Sequence, residues 1–351
     1  MEPLGGAEGR QVTGAPLSVT VLGAGGFIGS NLVEHLIDHT SHDIVGIDRA
    51  RDKLAGIHGD NFEFHQAELT VGGGDLEPFI KETDVVIDLI AYANPSLYVE
   101  SPLEVFELNF IHNLQVARLC VEHRTRLVQV STSEVYGDAI ELEFDEDTSP
   151  MITGPVQKQR WIYASAKQLL ERVIHAHGLR DELDYTIVRP FNFLGPRIDY
   201  LVPAGSMGGP RVFAHFMSSL LTGGPMFLVN GGEVHRCFTH IADAVEAFRI
   251  ILEHPGAHNQ IFNVGHPGND TSIRDLALLM QSVYAELTGE SGSRKLATLT
   301  GDDFYGEGYD DMNRVPPRID KMRALGWEPK LDLRTAVRDA MAYYLAEVGK
   351  L

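Results

Sequence analysis

Tyr163 and Lys167 stand four residues apart in WIYASAKQLLERVIHAH, residues 161–177, where apolar residues recur at helical spacing. That separation places a phenol and an ammonium on one helical face. A neighbouring positive charge lowers the phenol's pKa, so the tyrosine can take a proton from an alcohol. A Tyr-x-x-x-Lys pair on a helix arises often by chance, and alone it would leave Tyr163 open to being an interhelix packing residue. Two further groups give it weight. The apolar run RLVQVSTS ends at Ser133 and is followed by Glu134, and Asn192 follows YTIVRP. Ligands of open α/β sheets bind beyond the carboxyl ends of the strands. A hydroxyl, a carboxyl, an amide, a phenol and an ammonium are therefore expected along one sheet edge.

A second motif supplies a partner for that chemistry. Gly23-Ala-Gly25-Gly26-Phe27-Ile28-Gly29 lies between the apolar run LSVTVLG and the amphipathic FIGSNLVEHLIDH. In this strand–turn–helix setting the glycines have distinct tasks: Gly23 permits the tight turn, Gly26 lets backbone N–H groups approach a pyrophosphate, and Gly29 lets the helix pack closely. The helix start at Phe27 and Ile28 adds a dipole that favours the anion. Asp48 ends the next apolar run, DIVGID, where a carboxylate accepts hydrogen bonds from an adenosine ribose and repels a 2′-phosphate. The expected cofactor is NAD rather than NADP, although Arg49 blunts that preference.

Elements that position these groups follow from the apolar pattern. Strands are expected in LSVTVLG, DIVGID, FEFHQAEL, VVIDLIAY, RLVQVSTS and YTIVRP, with helices at 102–123 and 161–177 between them. This alternation predicts an α/β fold, a Rossmann-like doubly wound parallel sheet covered on both faces, with a smaller C-terminal α/β substrate domain. Residues 1–16 read as a flexible tail and 17–190 as the NAD-binding domain, to which about 237–262 returns. Residues 191–236 and 263–351 read as the substrate-binding domain. PMFLVNGGEVHRCF reads as a strand and turn. The Gly/Pro stretch 195–211 and residues 289–318 read as long loops, which in compact domains are commonly functional.

The chain has 351 residues, 29 Lys+Arg against 49 Asp+Glu, and a net charge of −20. So acidic a surface argues against nucleic acid and anionic membrane as partners. No run approaches the ~20 apolar residues of a membrane span, and the N-terminus lacks the basic head and apolar stretch of a signal peptide. Cys120 and Cys237 are too few and too far apart for a disulfide framework. A reduced, cytoplasmic protein is expected. The histidines show no metal-ligand spacing, so no metal is expected. An anionic ligand would need arginines gathered locally. Arg211 and Arg236 lie in Gly/Pro-rich loops suited to phosphate, while Arg160, Arg189 and Arg197 suit site and scaffold equally.

The segments GPVQKQRWIYASAKQLLERVI, IVRPFNFLGPR, NGGEVHRCFTHIADAVEA, FYGEGYDD and LGWEPK sharpen this. From Leu17 onward the chain resembles the extended short-chain dehydrogenases/reductases that modify nucleotide sugars. Within them it is similar to the UDP-glucuronate decarboxylases, including the UDP-apiose/xylose synthases and the decarboxylase of amino-arabinose synthesis. The resemblance implies that Tyr163 is the base at the sugar C4 hydroxyl and Lys167 its partner at the nicotinamide ribose, with Ser133 the active-site hydroxyl. Glu134 then matches the decarboxylases' Thr-Ser-Glu, and Arg314 the arginine beside the substrate carboxylate. Glu68-Leu69 takes the adenine-edge position, and Asn192, Arg211, Phe227, Arg236 and Tyr309 bind the UDP-sugar. It also implies a homodimer through helices 102–123 and 161–177. The product would be UDP-xylose, UDP-4-keto-xylose or both, with a UDP-sugar epimerase or dehydratase as alternatives. Ala93 occupies the position of a cysteine thought to support ring contraction in the apiose synthases, which argues against an apiose product. Asn94 stands where many relatives carry Ser or Thr.

Overall fold

The computed structural model describes residues 15–68, 76–203, 211–312 and 315–351. Seven parallel strands form the central sheet: β1 (Ser18–Leu22), β2 (Asp43–Asp48), β3 (Phe62–Gln66), β4 (Val85–Asp88), β5 (Arg126–Val130), β6 (Tyr185–Pro190) and β11 (Gln260–Val264). Their spatial order is β11-β6-β5-β4-β1-β2-β3. The order in which successive strands are added reverses between β1 and β4, which opens a crevice at their carboxyl ends.

The strands are near-continuous apolar runs because both faces are covered. Successive side chains alternate between faces. Val85 and Ile87 of β4 join a core containing Leu32, Leu36, Val245 and Phe248. Those partners belong to α1 (Phe27–His39) and α8 (Ile241–Glu253). Val86 enters the opposite core with Val116, Ala117, Leu170 and Ile174, which come from α5 (Asn113–His123) and α6 (Trp161–Asp181). The doubly wound expectation is met.

Several boundaries differ from those read in sequence. The 102–123 segment is not one regular helix: α4 (Pro102–Phe106) passes through a π-helical turn (Glu107–His112) into α5. Helix α6 runs to Asp181, where Glu182 closes it in the left-handed region at φ 58°. Of FEFHQAEL and VVIDLIAY, β3 takes the first five residues and β4 the first four, and after β4 the chain leaves the sheet to line the crevice. Part of 289–318 is ordered as β13 (Leu296–Leu299) and α10 (Gly301–Tyr305). Strand β13 pairs in parallel with β8 (Met226–Val229).

Some of the remaining elements reach the cavity wall and others only complete the cores. They are α2 (Glu77–Lys81), α3 (Pro95–Glu100), α7 (Val212–Thr222), α9 (Ile273–Thr288), α11 (Asp320–Ala324) and α12 (Leu333–Glu347). Short pairs join β7 (Phe193–Leu194) to β10 (Thr239–His240), and β9 (His235–Cys237) to β12 (Asp270–Ser272). No described helix is long and apolar enough to cross a membrane.

Candidate active site

A cavity of about 720 Å³ lies at the sheet's switch point. The glycine turn forms one end. Gly23 has φ +85°, and its N–H donates to Ile47 O at 2.9 Å. A Cβ on Gly29 would lie 2.2 Å from Gly23 O, so only glycine lets α1 pack against the turn. Gly25 has an equally strict role that its place in the motif did not reveal, since a Cβ there would lie 2.0 Å from Ala50 O. Gly23, Gly26, Phe27, Ile28 and Gly29 all line the cavity. Asp48 lies behind this wall. Its Oδ2 accepts from Gly25 N–H at 3.0 Å and its Oδ1 from Ala50 N–H at 3.1 Å, tying β2 to the turn. Burial raises its pKa against the pull of those backbone donors. This cradle, narrow enough to exclude side chains and opening onto the cavity at a helix N-terminus, fits a dinucleotide pyrophosphate. Glu68 is exposed and outside the wall, and Leu69 lies outside the described residues.

At the other end, the 3-10 turn Ser133–Tyr136 begins where Thr132 Oγ1 accepts from Glu134 N–H at 3.1 Å. Ser133, Glu134 and Tyr163 line the cavity together. The Tyr163 ring stacks on Tyr98 of α3, with centroids 4.7 Å apart and planes 10° from parallel. Lys167 is buried beneath this wall, and its Nζ donates to Val130 O at 3.1 Å. Burial lowers the Lys167 pKa to about 8, opposed by the carboxylates of Asp88 and Glu171.

The arginines separate into two groups. Arg160, Arg211 and Arg236 line the cavity, and each is paired with a carboxylate. Arg160 Nη1 donates to Glu134 Oε2 at 2.9 Å, with side chains only 2% and 11% exposed. Its guanidinium also lies over the rings of Trp161 and Tyr309. Burial opposes the Arg160 charge, but Glu134 more than offsets it, so its pKa is raised. Arg211 donates to Asp199 Oδ1 at 3.0 Å and packs over Phe27. Arg236 donates to Asp311 Oδ1 at 3.1 Å and to Met312 O at 2.9 Å. The gathered cations expected from sequence are present, but as ion pairs. Arg189 and Arg197 belong to the scaffold, pairing with Glu171 and Glu34 outside the cavity wall. Arg314 lies outside the described residues.

Asn192, Phe227 and Tyr309 also reach the wall. Asn192 has φ 39° and its Nδ2 donates to Cys237 O at 3.4 Å. Tyr309 stacks on Tyr305, whose pKa burial pushes up to about 12. Asn94 caps α3, its Oδ1 accepting from Ser96 N–H at 3.1 Å. Sequence reading missed Lys53, Tyr98, Asp199 and Asp311. The acids adjoin arginines only in three dimensions, but Lys53, five residues beyond Asp48, could have been suspected from its nearness to the glycine motif. Elsewhere, Glu77, Glu122 and His123 bring ligand atoms within 4.8 Å of one another. They lie away from the cavity wall, and His123 already pairs with Glu77 at 3.2 Å.

A doubly wound sheet with a glycine cradle at its switch point and a Ser/Tyr/Lys set across the crevice defines a nucleotide-dependent oxidoreductase-type fold. The chain belongs to the NAD dependent epimerase/dehydratase family, which it matches over residues 19–265. It is 41% identical over 357 residues to the UDP-D-apiose/UDP-D-xylose synthase of Oryza sativa subsp. japonica, covering 94% of this chain and 89% of that one. It is 39% identical to UDP-D-apiose/UDP-D-xylose synthase 1 of Arabidopsis thaliana, covering 93% and 91%. Among solved structures, the PbgP3 protein from Burkholderia pseudomallei superposes with a TM-score of 0.83 at 34% identity, covering 95% and 98%. The cofactor of this family is NAD, and the cradle described above fits it.

Proposed function

We propose that this chain decarboxylates UDP-glucuronate, with NAD held at the glycine turn, to give UDP-xylose, UDP-4-keto-xylose or both. The observation that carries this reading is Arg160, a buried guanidinium beside Glu134 on the same wall as Ser133 and Tyr163. The Glu134 carboxyl that Arg160 holds at the reacting end suits return of a proton to C5, a step that decarboxylation requires and 4-epimerisation does not. The relatives named as UDP-D-apiose/UDP-D-xylose synthases support a UDP-sugar substrate.

When bound, NAD supplies a hydride acceptor and donor for the sugar C4. Tyr163, with the Lys167 charge behind it and Tyr98 fixing its ring, takes the C4 hydroxyl proton. A C4 ketone makes the substrate a β-keto acid. The C5–C6 bond then breaks, CO2 leaves, and the electron pair passes to the C4 oxygen. Ser133 and Tyr163 hold that enolate oxygen by donating hydrogen bonds. Glu134, oriented by Arg160, orders the proton source that returns hydrogen to C5. Arg211, Arg236, Asn192 and Phe227 receive the UDP portion, for which 191–236 and 263–351 serve as the substrate-binding part. Ala91, Tyr92, Ala93, Asn94 and Pro95 all line the cavity, and neither cysteine does. Without a thiol in the wall, the product is a xylose-type rather than an apiose-type sugar.

We also assign a homodimer to the face of α4, the π-turn, α5 and α6. Leu103, Ile111 and Leu169 are exposed there, and Phe106 and Phe110 stack beside them. Incubation with UDP-glucuronate and NAD, followed by product mass and free NADH, tests the reaction. Loss of CO2 is expected. Epimerisation without CO2 loss would replace the reading with a 4-epimerase.

A further inference from the structure

Strand β4 reads Val-Val-Ile and then, at its carboxyl end, an acid. Asp88 is completely buried. Its Oδ1 accepts from Ile90 N–H at 3.0 Å and its Oδ2 from Asn113 Nδ2 at 2.7 Å. Both donors are neutral, so its charge is not matched by its hydrogen bonds. In register, Asp88 lies opposite Gln129 of β5, one residue before Val130, whose carbonyl receives the Lys167 ammonium. The acid and the ammonium thus occupy neighbouring positions beneath the same wall.

An ammonium sealed from water loses its proton unless an anion faces it. Val130 O is an uncharged acceptor. Two carboxylates act on Lys167, Asp88 more strongly than Glu171. Glu171, one turn along α6, is already committed: Arg189 donates to both of its oxygens, at 3.1 and 2.7 Å, and Ser131 Oγ donates to Oε1. Asp88 is faced by Lys167, by Asn113 and His112 from the opposing helix, and by the buried thiol of Cys120. Burial lowers the His112 pKa against the pull of Asp88, and neither of its ring nitrogens has a hydrogen-bond partner among the described residues. Lys167 is therefore the cation that answers Asp88.

We propose that Asp88 is a positioning residue that keeps Lys167 cationic beneath Tyr163, with Asn113 holding the carboxylate in place. This rests on the role given to Lys167 above. The test uses the full chain saturated with NAD and carrying 13Cε-labelled lysine. Lys167, one of eight lysines, is assigned by the signal lost in K167R. Its titration is followed by NMR in wild type, in D88N and in the swapped pair D88N/N113D, which returns a carboxylate within hydrogen-bond distance of the original. D88N is expected to lower the Lys167 midpoint by at least about one pH unit, and the swap to recover at least half of that shift. An unchanged midpoint in D88N would assign the counter-charge to Glu171 and overturn the proposal. A swap as low as D88N would show that shape rather than charge is at work and would also overturn it. Should D88N fail to fold, the swap alone decides: a midpoint near wild type supports the proposal, and one at least a unit lower refutes it. The readout needs no turnover, so inactivity on UDP-glucuronate would remove the reaction proposed above while leaving this result to stand or fall separately.

Discussion

The Glu134–Arg160 pair offers a quantitative test of how the active-site wall is held. At 2.9 Å, two unit charges in an effective dielectric of about 20 attract by about 6 kcal/mol. Desolvating both ions offsets much of this, so the intact pair contributes little net stability. Removing one partner is different, because it leaves a buried charge unanswered, at a cost of about 3–5 kcal/mol. Replacing Arg160 by Met keeps much of the stem's packing between Trp161 and Tyr309 while deleting the charge. R160M should therefore unfold about 4–7 °C below wild type. E134Q should be destabilised in the same direction, whereas R160M/E134Q should recover most of the loss. Urea unfolding of the four proteins gives the coupling energy directly, expected to be at least about 2 kcal/mol. A coupling below about 0.5 kcal/mol would refute the claim that these side chains form one buried unit. The double variant should be folded yet inactive on UDP-glucuronate, which separates the wall's stability from its chemistry.

Further outcomes follow from other parts of the site. Tyr163→Phe should lower turnover by about 10²–10⁴-fold while NAD binding, read by fluorescence quenching, persists; full activity would remove Tyr163 as the base. Gly29→Ala, whose methyl would meet Gly23 O, should abolish NAD binding by calorimetry, and an unaltered affinity would contradict the cradle. Burial in the cavity wall lowers the Lys53 pKa to about 8. Affinity for UDP should thus strengthen as pH falls through 8 and Lys53 gains its proton, and K53M should flatten that dependence. Since its folded pKa lies below the usual value, Lys53 makes folding less favourable at low pH, and stability should rise between about 8 and 10.5. I111D/L169D should leave a monomer in light scattering where wild type, on the proposed assembly, has the mass of a homodimer; an unchanged mass would exclude that face.

The sheet was readable because parallel strands buried on both faces are continuous apolar runs, and each lies beside its helix in sequence. Strand ends were less readable, since VVIDLIAY stays apolar after leaving the sheet, where Leu89, Ala91 and Tyr92 line the cavity. The π-turn at Glu107–His112 left no trace in an uninterrupted helical pattern. Motif residues reached the cavity where local sequence fixes their place, as with Gly26, Ser133 and Tyr163. Arginines were harder, because their role depends on distant acids. Arg189 and Arg160 flank the same wall, yet Glu171 claims one for the scaffold and Glu134 sets the other in the cavity. Tyr98 was missed because its partnership with Tyr163 spans 65 residues of chain.

The Glu171–Arg189 pair sits one turn beyond Lys167 and is extended by Tyr136, whose hydroxyl accepts from Arg189 Nη1 at 2.8 Å and donates to Asn263 Oδ1 at 2.7 Å. It joins α6 to β6, to the turn after β5 and to β11. A helix lying on a sheet through apolar contacts alone could slide or turn with modest change in burial. One residue of slip advances a helix by about 1.5 Å and rotates it by roughly 100°, which would carry Tyr163 out of the cavity. A bidentate fork accepts no such displacement. The buried pair thus works as an indexing pin that fixes the angular setting of α6, leaving the acidic exterior free to vary in sequence without disturbing the aim of the tyrosine.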